Sequence, residues 1–533
     1  MKQKNLKIMM MMLGVILTIG VLTACNRDTE TTLETNEGQT VETTNGESNF
    51  VMAISGNPMA TNPIVVGDRF GLTFTNMVYS PLARIDANNE FHFELAESMD
   101  VSEDGLTITV HLREGVLWSD GEPFTAHDVV FTYGIRGNRD LGHGNYAGLW
   151  IGDAPIEFSA LDELTVEFRL PEVSAAVLNN LLFEVNIMPE HIFADEPDFS
   201  ENDLIAHPVG TGPFRLVEYN RGQYLLFEAN EHYFGGRPAL DHVTLRIIEN
   251  MDTQRMALQN GDIDAAIVLP VDIETLDASL ITAFAFSENR VGYIGMNVLT
   301  DELSDVRVRQ AIRYALNVND MNLAAFMSED FFNTPLSILP PNNPWAVTDV
   351  NTYERNLERA RELLAEAGVT DLRLNFGFNS ADPAGTMQAT LAQAQLAEIG
   401  VHVELEGQDG TALSVELNTA GSTRFNLFTG GYIMGNDPDA YGSLFRSDGA
   451  FNIFNSNTPN VDALFAAAAV EMNEQVRHDF YAQIQRLIAE DAFFVPVVDN
   501  LRVLAVNNRI GGVESAGLIP ISTFQDMSRL YIR

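Results

Sequence analysis

The chain has 533 residues, with 74 acidic and 31 basic side chains and a formal net charge of −43. This length is too great for one hydrophobic core, so two or three domains are expected. The negative charge argues against nucleic acids and anionic membrane surfaces as partners. The only lysines are Lys2, Lys4 and Lys7, which excludes a Walker A phosphate loop and Schiff-base chemistry from the rest of the chain.

The first 25 residues have the pattern of an export signal. The lysines precede an apolar run at 8–21 that is too short for a comfortable membrane span. The run leads into Leu22-Thr23-Ala24-Cys25, which is similar to a bacterial lipobox and predicts cleavage before Cys25 and lipidation of its sulfur. The alternative is a signal-anchor helix with an incidental cysteine. Because Cys25 is the only cysteine, an intramolecular disulfide and a cysteine-ligated zinc site are excluded.

Residues 26–48 are rich in Thr, Glu and Asn and hold almost no large apolar side chain. Such a segment cannot bury a core, so it is expected to be a disordered tether. The folded part begins near Phe50, and apolar periodicity then predicts its elements in chain order. The predicted strands are 50–54, 107–112, 164–170, 214–217, 224–227, 241–248, 401–405, 493–498 and 501–506. The predicted helices start near 74 and 354 and span 253–258, 304–316, 387–399 and 476–488.

Local signals support several of these elements. Asp104-Gly105 predicts a hairpin turn before the strand at 107–112. Thr125 is the expected N-cap of a helix, with Asp128 at the capping-box position. In the second half of the chain, a helix followed by glycine and a strand indicates α/β organisation.

The stretch 208–238 reads as a strand, an Asn/Gly turn and a second strand. Its residue order, GTGPFRLVEY followed by ANEHYFGGRPALDHV, resembles the peptide-binding class (family 5) of extracellular solute-binding proteins that serve ABC importers. Four further landmarks resemble the same family in the same order. They lie at 115–130 (with Trp-Ser-Asp-Gly before a helix), 260–266, 293–297 and 430–439.

The resemblance implies an α/β fold of the periplasmic-binding-protein-like II type, with two lobes joined by a two-strand hinge and an extra domain. It implies that the chain crosses between the lobes near residues 284 and 500. The implied division assigns 49–58, 187–284 and 500–533 to the first lobe, 59–186 to the extra domain and 285–499 to the second lobe.

The resemblance also implies a ligand-binding cleft. The residues carried over as candidates are Gly431, Tyr432, Met434, Asn436, Asp437, Asp439, Tyr293 and Asn297. In several peptide-binding members a carboxylate just before the Asp-Pro pins the free amine of the ligand. Here Met434 occupies that position, so either Asp437 or Asp439 replaces the carboxylate or the ligand is not pinned by its amine. The alternative is that Asp437 only caps the helix that follows Pro438.

The implied function is capture of oligopeptides or dipeptides outside the cell and delivery to the permease subunits of an ABC transporter. The protein is expected to be a lipid-anchored monomer on the outer face of the membrane, with no catalytic residue, cofactor, metal or nucleic acid. Extended peptides are held through their backbones, so their sequence matters little. Two alternatives remain: a binder of another solute (a nickel complex, an oligosaccharide or haem), and an unrelated surface hydrolase.

Overall fold

The computed structural model describes residues 48–86, 90–141, 148–183, 185–194 and 208–533. The predicted signal segment with Cys25 lies outside the described residues, as does all but the last residue of the predicted tether. None of the helices in the described ranges combines the length and the apolar character needed to cross a bilayer.

The largest element is a mixed sheet of 12 strands. Ten of them follow this order across the sheet: Phe214–Asn220, Tyr224–Ala229, His242–Ile247, Asn49–Ile54, Ala265–Val268, Phe494–Asn507, Arg290–Met296, Leu427–Ile433, Leu372–Asn379 and Val401–Gln408. The other two, Ile281–Ser287 and Phe332–Asn333, pair with Phe494–Asn507. The predicted hairpin at 208–238 is confirmed, because its two strands pair in antiparallel fashion across a turn at Gly222.

The strand Phe494–Asn507 joins the two halves of this sheet. Its last residues pair with Ile281–Ser287, whereas its first residues pair with Arg290–Met296. Two separate strands were predicted here because the polar Asp499 interrupts the apolar pattern. The structure keeps one strand, since the buried Asp499 accepts hydrogen bonds from the hydroxyl of Ser287 at 2.8 Å and the side-chain amide of Asn333 at 3.0 Å.

Several α-helices pack against strands of this large sheet. The α-helices of the described residues are Arg69–Val78, Ala126–Arg136, Val177–Leu182, Glu190–Phe193, Met251–Asn260, Val306–Ala315, Val318–Phe326, Leu357–Glu366, Pro383–Ala397, Gly410–Leu417, Gly442–Phe445, Pro459–Val470 and Glu474–Asp491. The helix expected at 387–399 begins four residues earlier, at Pro383. Asp382 accepts a hydrogen bond from the backbone N–H of Ala384 and caps the helix, and proline is well suited to its first position.

A separate antiparallel sheet follows the order Ala96–Val101, Thr107–Leu112, Thr165–Arg169 and Glu157–Asp162. The helix Ala126–Arg136 packs on it and has the predicted capping box between Thr125 and Asp128. Four two-stranded ribbons complete the described strands: Ala83–Ile85 with Phe91–Phe93, Trp150–Ile151 with Ala154–Pro155, Ile510–Gly511 with Tyr531–Ile532, and Leu518–Ile519 with Thr523–Phe524.

The buried apolar residues form three large cores. One draws only on residues between Val291 and Val498, and another lies between Leu82 and Ile187 around the buried Trp118. The third joins residues from both ends of the chain, and the helix Arg69–Val78 packs into it. The predicted boundary at residue 59 assigns this helix to the extra domain, although the helix packs into the core of the predicted first lobe. The division into lobes stays a prediction.

Candidate ligand-binding site

A cavity of about 490 Å³ lies beside the sheet in the second half of the chain. The strands Arg290–Met296 and Leu427–Ile433 form one wall. The start of the helix Pro383–Ala397 forms another, together with one face of the helix Gly410–Leu417. Glycine backbone, amide and hydroxyl groups alternate with apolar side chains along these walls. This volume and this mixture are typical of sites for small ligands.

The strand Leu427–Ile433 has an open edge toward this cavity. On one side it pairs along its full length with Arg290–Met296. On the other side it pairs with Leu372–Asn379 only at Leu427 and Phe428. From 429 to 433, therefore, no strand of the described residues occupies the second edge. An open edge presents unpaired backbone N–H and C=O groups that an extended chain can bind.

Two glycines on this strand make room for side chains of its neighbour. A Cβ atom at Gly430 would overlap the ring of Tyr293, and one at Gly431 would overlap the guanidinium of Arg290. Neither glycine has a positive φ, so the backbone conformation alone would accept other residues. The pair of glycines is thus needed for space: it lets Tyr293 and Arg290 lie close against the strand.

Tyr293 and Tyr432 form the apolar side of the site. Their rings lie 5.7 Å apart, and the hydroxyl of Tyr432 donates to the backbone carbonyl of Ile338 at 2.6 Å. Burial raises the pKa of both tyrosines above the ordinary value, so both hydroxyls stay neutral at physiological pH. The two rings therefore offer a fixed, uncharged surface.

Four of the residues predicted from the sequence line this cavity together: Tyr293, Gly431, Tyr432 and Met434. The other four are not among its lining residues. The side-chain amide of Asn297 donates to the carbonyl of Ser422 at 2.8 Å, and the carbonyl of Asn436 accepts from the side chain of Asn343 at 3.1 Å. Their observed contacts connect parts of the fold, and the binding roles of all eight residues stay predictions.

Asp437 lies at a helix start, as the capping alternative predicted. Its side chain accepts from the backbone N–H of Asp439 at 2.9 Å. The same carboxylate forms a two-pronged ion pair with the buried Arg477, with N···O distances of 2.7 and 2.8 Å. Burial and the nearby charge of Asp437 raise the pKa of Asp439. Because Arg477 already neutralises Asp437, that carboxylate is a poor candidate for pinning a ligand amine.

Two charged residues that the sequence patterns did not single out line the cavity: Arg290 and Asp382. Arg290 begins its strand three residues before Tyr293, just ahead of the stretch 293–297 that resembles the family. The double glycine at 430–431 was a usable signal, but the strand pairing that brings it against Arg290 is not visible in the sequence.

The described residues include one group of possible metal ligands, Asp86, Glu90 and His92, whose donor atoms lie within 4.8 Å of one another. Glu90 and His92 are exposed, and the imidazole Nε2 of His92 lies 3.1 Å from the carboxylate of Asp86. Exposed carboxylates of this kind commonly occur without an ion, and the group is separate from the cavity.

Comparison with known proteins bears on this site. The chain is 29% identical over 514 residues to the oligopeptide-binding protein AppA of Bacillus subtilis, covering 92% of each chain. The structure of AppA in complex with a nonapeptide matches with a TM-score of 0.73 and 25% identity over 91% of this chain and 99% of that one. Haem-binding protein A of Haemophilus influenzae is 27% identical over 92% of this chain and 94% of its own length.

A solved structure with higher identity is the ABC transporter substrate-binding protein CtaP of Listeria monocytogenes. It is 33% identical, with a TM-score of 0.87 over 91% of this chain and 99% of that one. The sequence pattern of bacterial extracellular solute-binding proteins, family 5 Middle, matches residues 90–452. The chain therefore belongs to the family 5 bacterial extracellular solute-binding proteins, with their two-lobed α/β fold.

Proposed function

We propose that this protein captures oligopeptides outside the cytoplasm and delivers them to the permease of an ABC importer. The observation that carries the proposal is the open strand edge at 429–433, which faces a cavity of suitable size. An extended peptide can add to this edge through backbone hydrogen bonds, and such bonds do not depend on its side chains.

The similarity to AppA of Bacillus subtilis and to its nonapeptide complex supports the same ligand class. Haem or a nickel complex is the main alternative, because haem-binding protein A is also a relative. Imidazole and thiolate side chains are common ligands for such metals. None of the described residues that line the cavity is a histidine or a cysteine. Met and Tyr side chains, which can also hold haem iron, do line it, so the support for a peptide is the open strand edge at 429–433 rather than the lining.

The rest of the proposal concerns the whole protein. Lipid chains on Cys25 hold it at the outer face of the membrane, and residues 26–48 let the folded part reach its permease as a monomer. The predicted first lobe (49–58, 187–284 and 500–533) and the lobe that holds the cavity close over the ligand about the strand crossings near residues 284 and 500. The family is one of solute-binding proteins, so transport rather than catalysis is the outcome of binding.

Calorimetry with two pools of random hexapeptides tests the proposal. The pools share their side chains, but one carries N-methyl groups on alternate backbone amides, which removes half of the N–H donors. We expect the unmodified pool to bind and the methylated pool to bind at least tenfold more weakly. Equal binding of the two pools would contradict pairing at the strand edge. Binding of haemin or nickel–histidine, with no peptide bound, would favour the alternative ligand class.

A further inference from the structure

The position of Arg290 suggests a specific chemistry for the ligand. Arg290 is the first residue of the strand Arg290–Met296, is half-buried and lines the cavity. Its guanidinium lies flat across two glycines that face each other on neighbouring strands, Gly292 and Gly431. A Cβ atom at Gly292 would come within 2.9 Å of the Nη1 of Arg290, and one at Gly431 would overlap the Nη2. The missing side chains of Gly292 and Gly431 thus leave a shallow depression, or bed, that holds the guanidinium of Arg290.

This guanidinium has no carboxylate partner among the described residues, none of which places an Asp or Glu oxygen within 4.0 Å of its nitrogens. Two other arginines removed from water bind carboxylates, whereas the buried Arg313 instead donates to the backbone carbonyl of Phe494 and lies over the ring of Tyr353. Arg477 binds Asp437 at 2.7 Å, and Arg69 binds Glu288 at 2.7 Å. Asp382, the other charged residue of the cavity, is used as a helix cap. A cation that is partly desolvated without a partner is costly, and an arriving anion offsets that cost.

We propose that Arg290 binds a carboxylate of the peptide ligand through paired N–H donors. Arginine suits this role because its planar guanidinium matches a carboxylate with two parallel hydrogen bonds. The proposal rests on the peptide-binding function and refines it: the preferred ligands carry a carboxylate that reaches the bed formed by Gly292 and Gly431. That carboxylate belongs either to the C-terminus of the peptide or to an acidic side chain.

Four pools of random hexapeptides distinguish these two sources. The pools have a free or amidated C-terminus, and each form is made with Asp and Glu present or replaced by Asn and Gln. We expect the pool without either carboxylate to bind roughly tenfold to hundredfold more weakly than the best pool, as for the loss of hydrogen bonds to a charged group. The intermediate pools show which carboxylate is used.

The variant Arg290→Gln should lose this discrimination, whereas Arg290→Lys should retain part of it because the charge remains. Circular dichroism confirms that each variant is folded. Arg373→Gln is the matched control, since Arg373 is a largely exposed arginine on the strand Leu372–Asn379, two strands away in the same sheet; it should bind all four pools as the unmodified protein does.

Three outcomes would overturn the inference. If all four pools bound equally, the peptide-binding function would stand, but the proposed carboxylate site at Arg290 would be rejected. Unchanged discrimination in Arg290→Gln would assign the carboxylate to another group. No binding of any pool would reject the peptide-binding function and this inference with it.

Discussion

At the scale of single residues, the ion pair between Asp437 and Arg477 makes a specific prediction. Replacing Asp437 with Asn leaves a buried guanidinium without its counter-charge, which costs about 3–5 kcal/mol of folding free energy. Denaturant unfolding should therefore show a large loss for Asp437→Asn. The exposed pair of Arg486 and Asp349 provides the control, and Asp349→Asn should cost less than about 1 kcal/mol. Unchanged stability with weaker binding of free-amine peptides would instead make Asp437 the amine anchor.

Asp439 predicts a dependence of stability on pH. Burial and the charge of Asp437 raise its pKa from the ordinary value of 3.8. The folded state thus holds this proton to higher pH than the unfolded state does. The contribution of the protonated Asp439 to the free energy of unfolding is therefore fully present below pH 3.8 and is lost as the pH rises through the folded-state pKa. We expect Asp439→Asn to raise the melting temperature at pH 7 more than at pH 4. An equal change at both values would contradict the assignment.

Residue-level signals were predictable where they are local. The capping box of Thr125 and Asp128 involves neighbours in the chain, and the structure confirms it. Arg290 was not predicted, because its contact with Gly431 joins two paired strands that are far apart in the sequence. Asp437 shows the same limit: the sequence reveals a cap, but the partner Arg477 comes from another helix.

At the scale of secondary-structure elements, Gly430 tests the packing of two strands. Alanine at this position would place a Cβ against the ring of the buried Tyr293. Overpacking of this kind costs about 1–3 kcal/mol, so Gly430→Ala should lower the midpoint of thermal unfolding. Gly67→Ala is the control, because nothing lies within 4 Å of its added Cβ. Equal midpoints for the two variants would contradict the close approach of Tyr293 to the strand.

Periodicity predicted most elements and missed some of their boundaries. The helix starting at Pro383 was expected four residues later, because its first turn carries no regular apolar spacing. The strand Phe494–Asn507 was predicted as two strands, because Asp499 and Asn500 have the pattern of a turn. The sequence does not show that Ser287 and Asn333 donate hydrogen bonds to Asp499. Long-range hydrogen bonds thus outweigh a local turn signal.

At the scale of the whole molecule, the predicted lipidation of Cys25 implies that the protein is held at the membrane. Serine in its place cannot be lipidated through sulfur, so Cys25→Ser should release the protein from isolated membranes or leave its precursor unprocessed. Asn36→Ser, a substitution within the predicted tether, should leave membrane association unchanged. If Cys25→Ser is recovered with the membranes in the same proportion and correctly cleaved, another feature of the protein holds it there.

Native mass spectrometry of protein purified from its own host without denaturation is the most direct test of whether this protein binds peptides. The open edge at 429–433 predicts a heterogeneous set of bound masses that fragment as peptides, because backbone pairing accepts many sequences. The set should be enriched in peptides that carry the carboxylate that Arg290 binds. A single bound mass that corresponds to haem, a nickel complex or an oligosaccharide would contradict peptide binding.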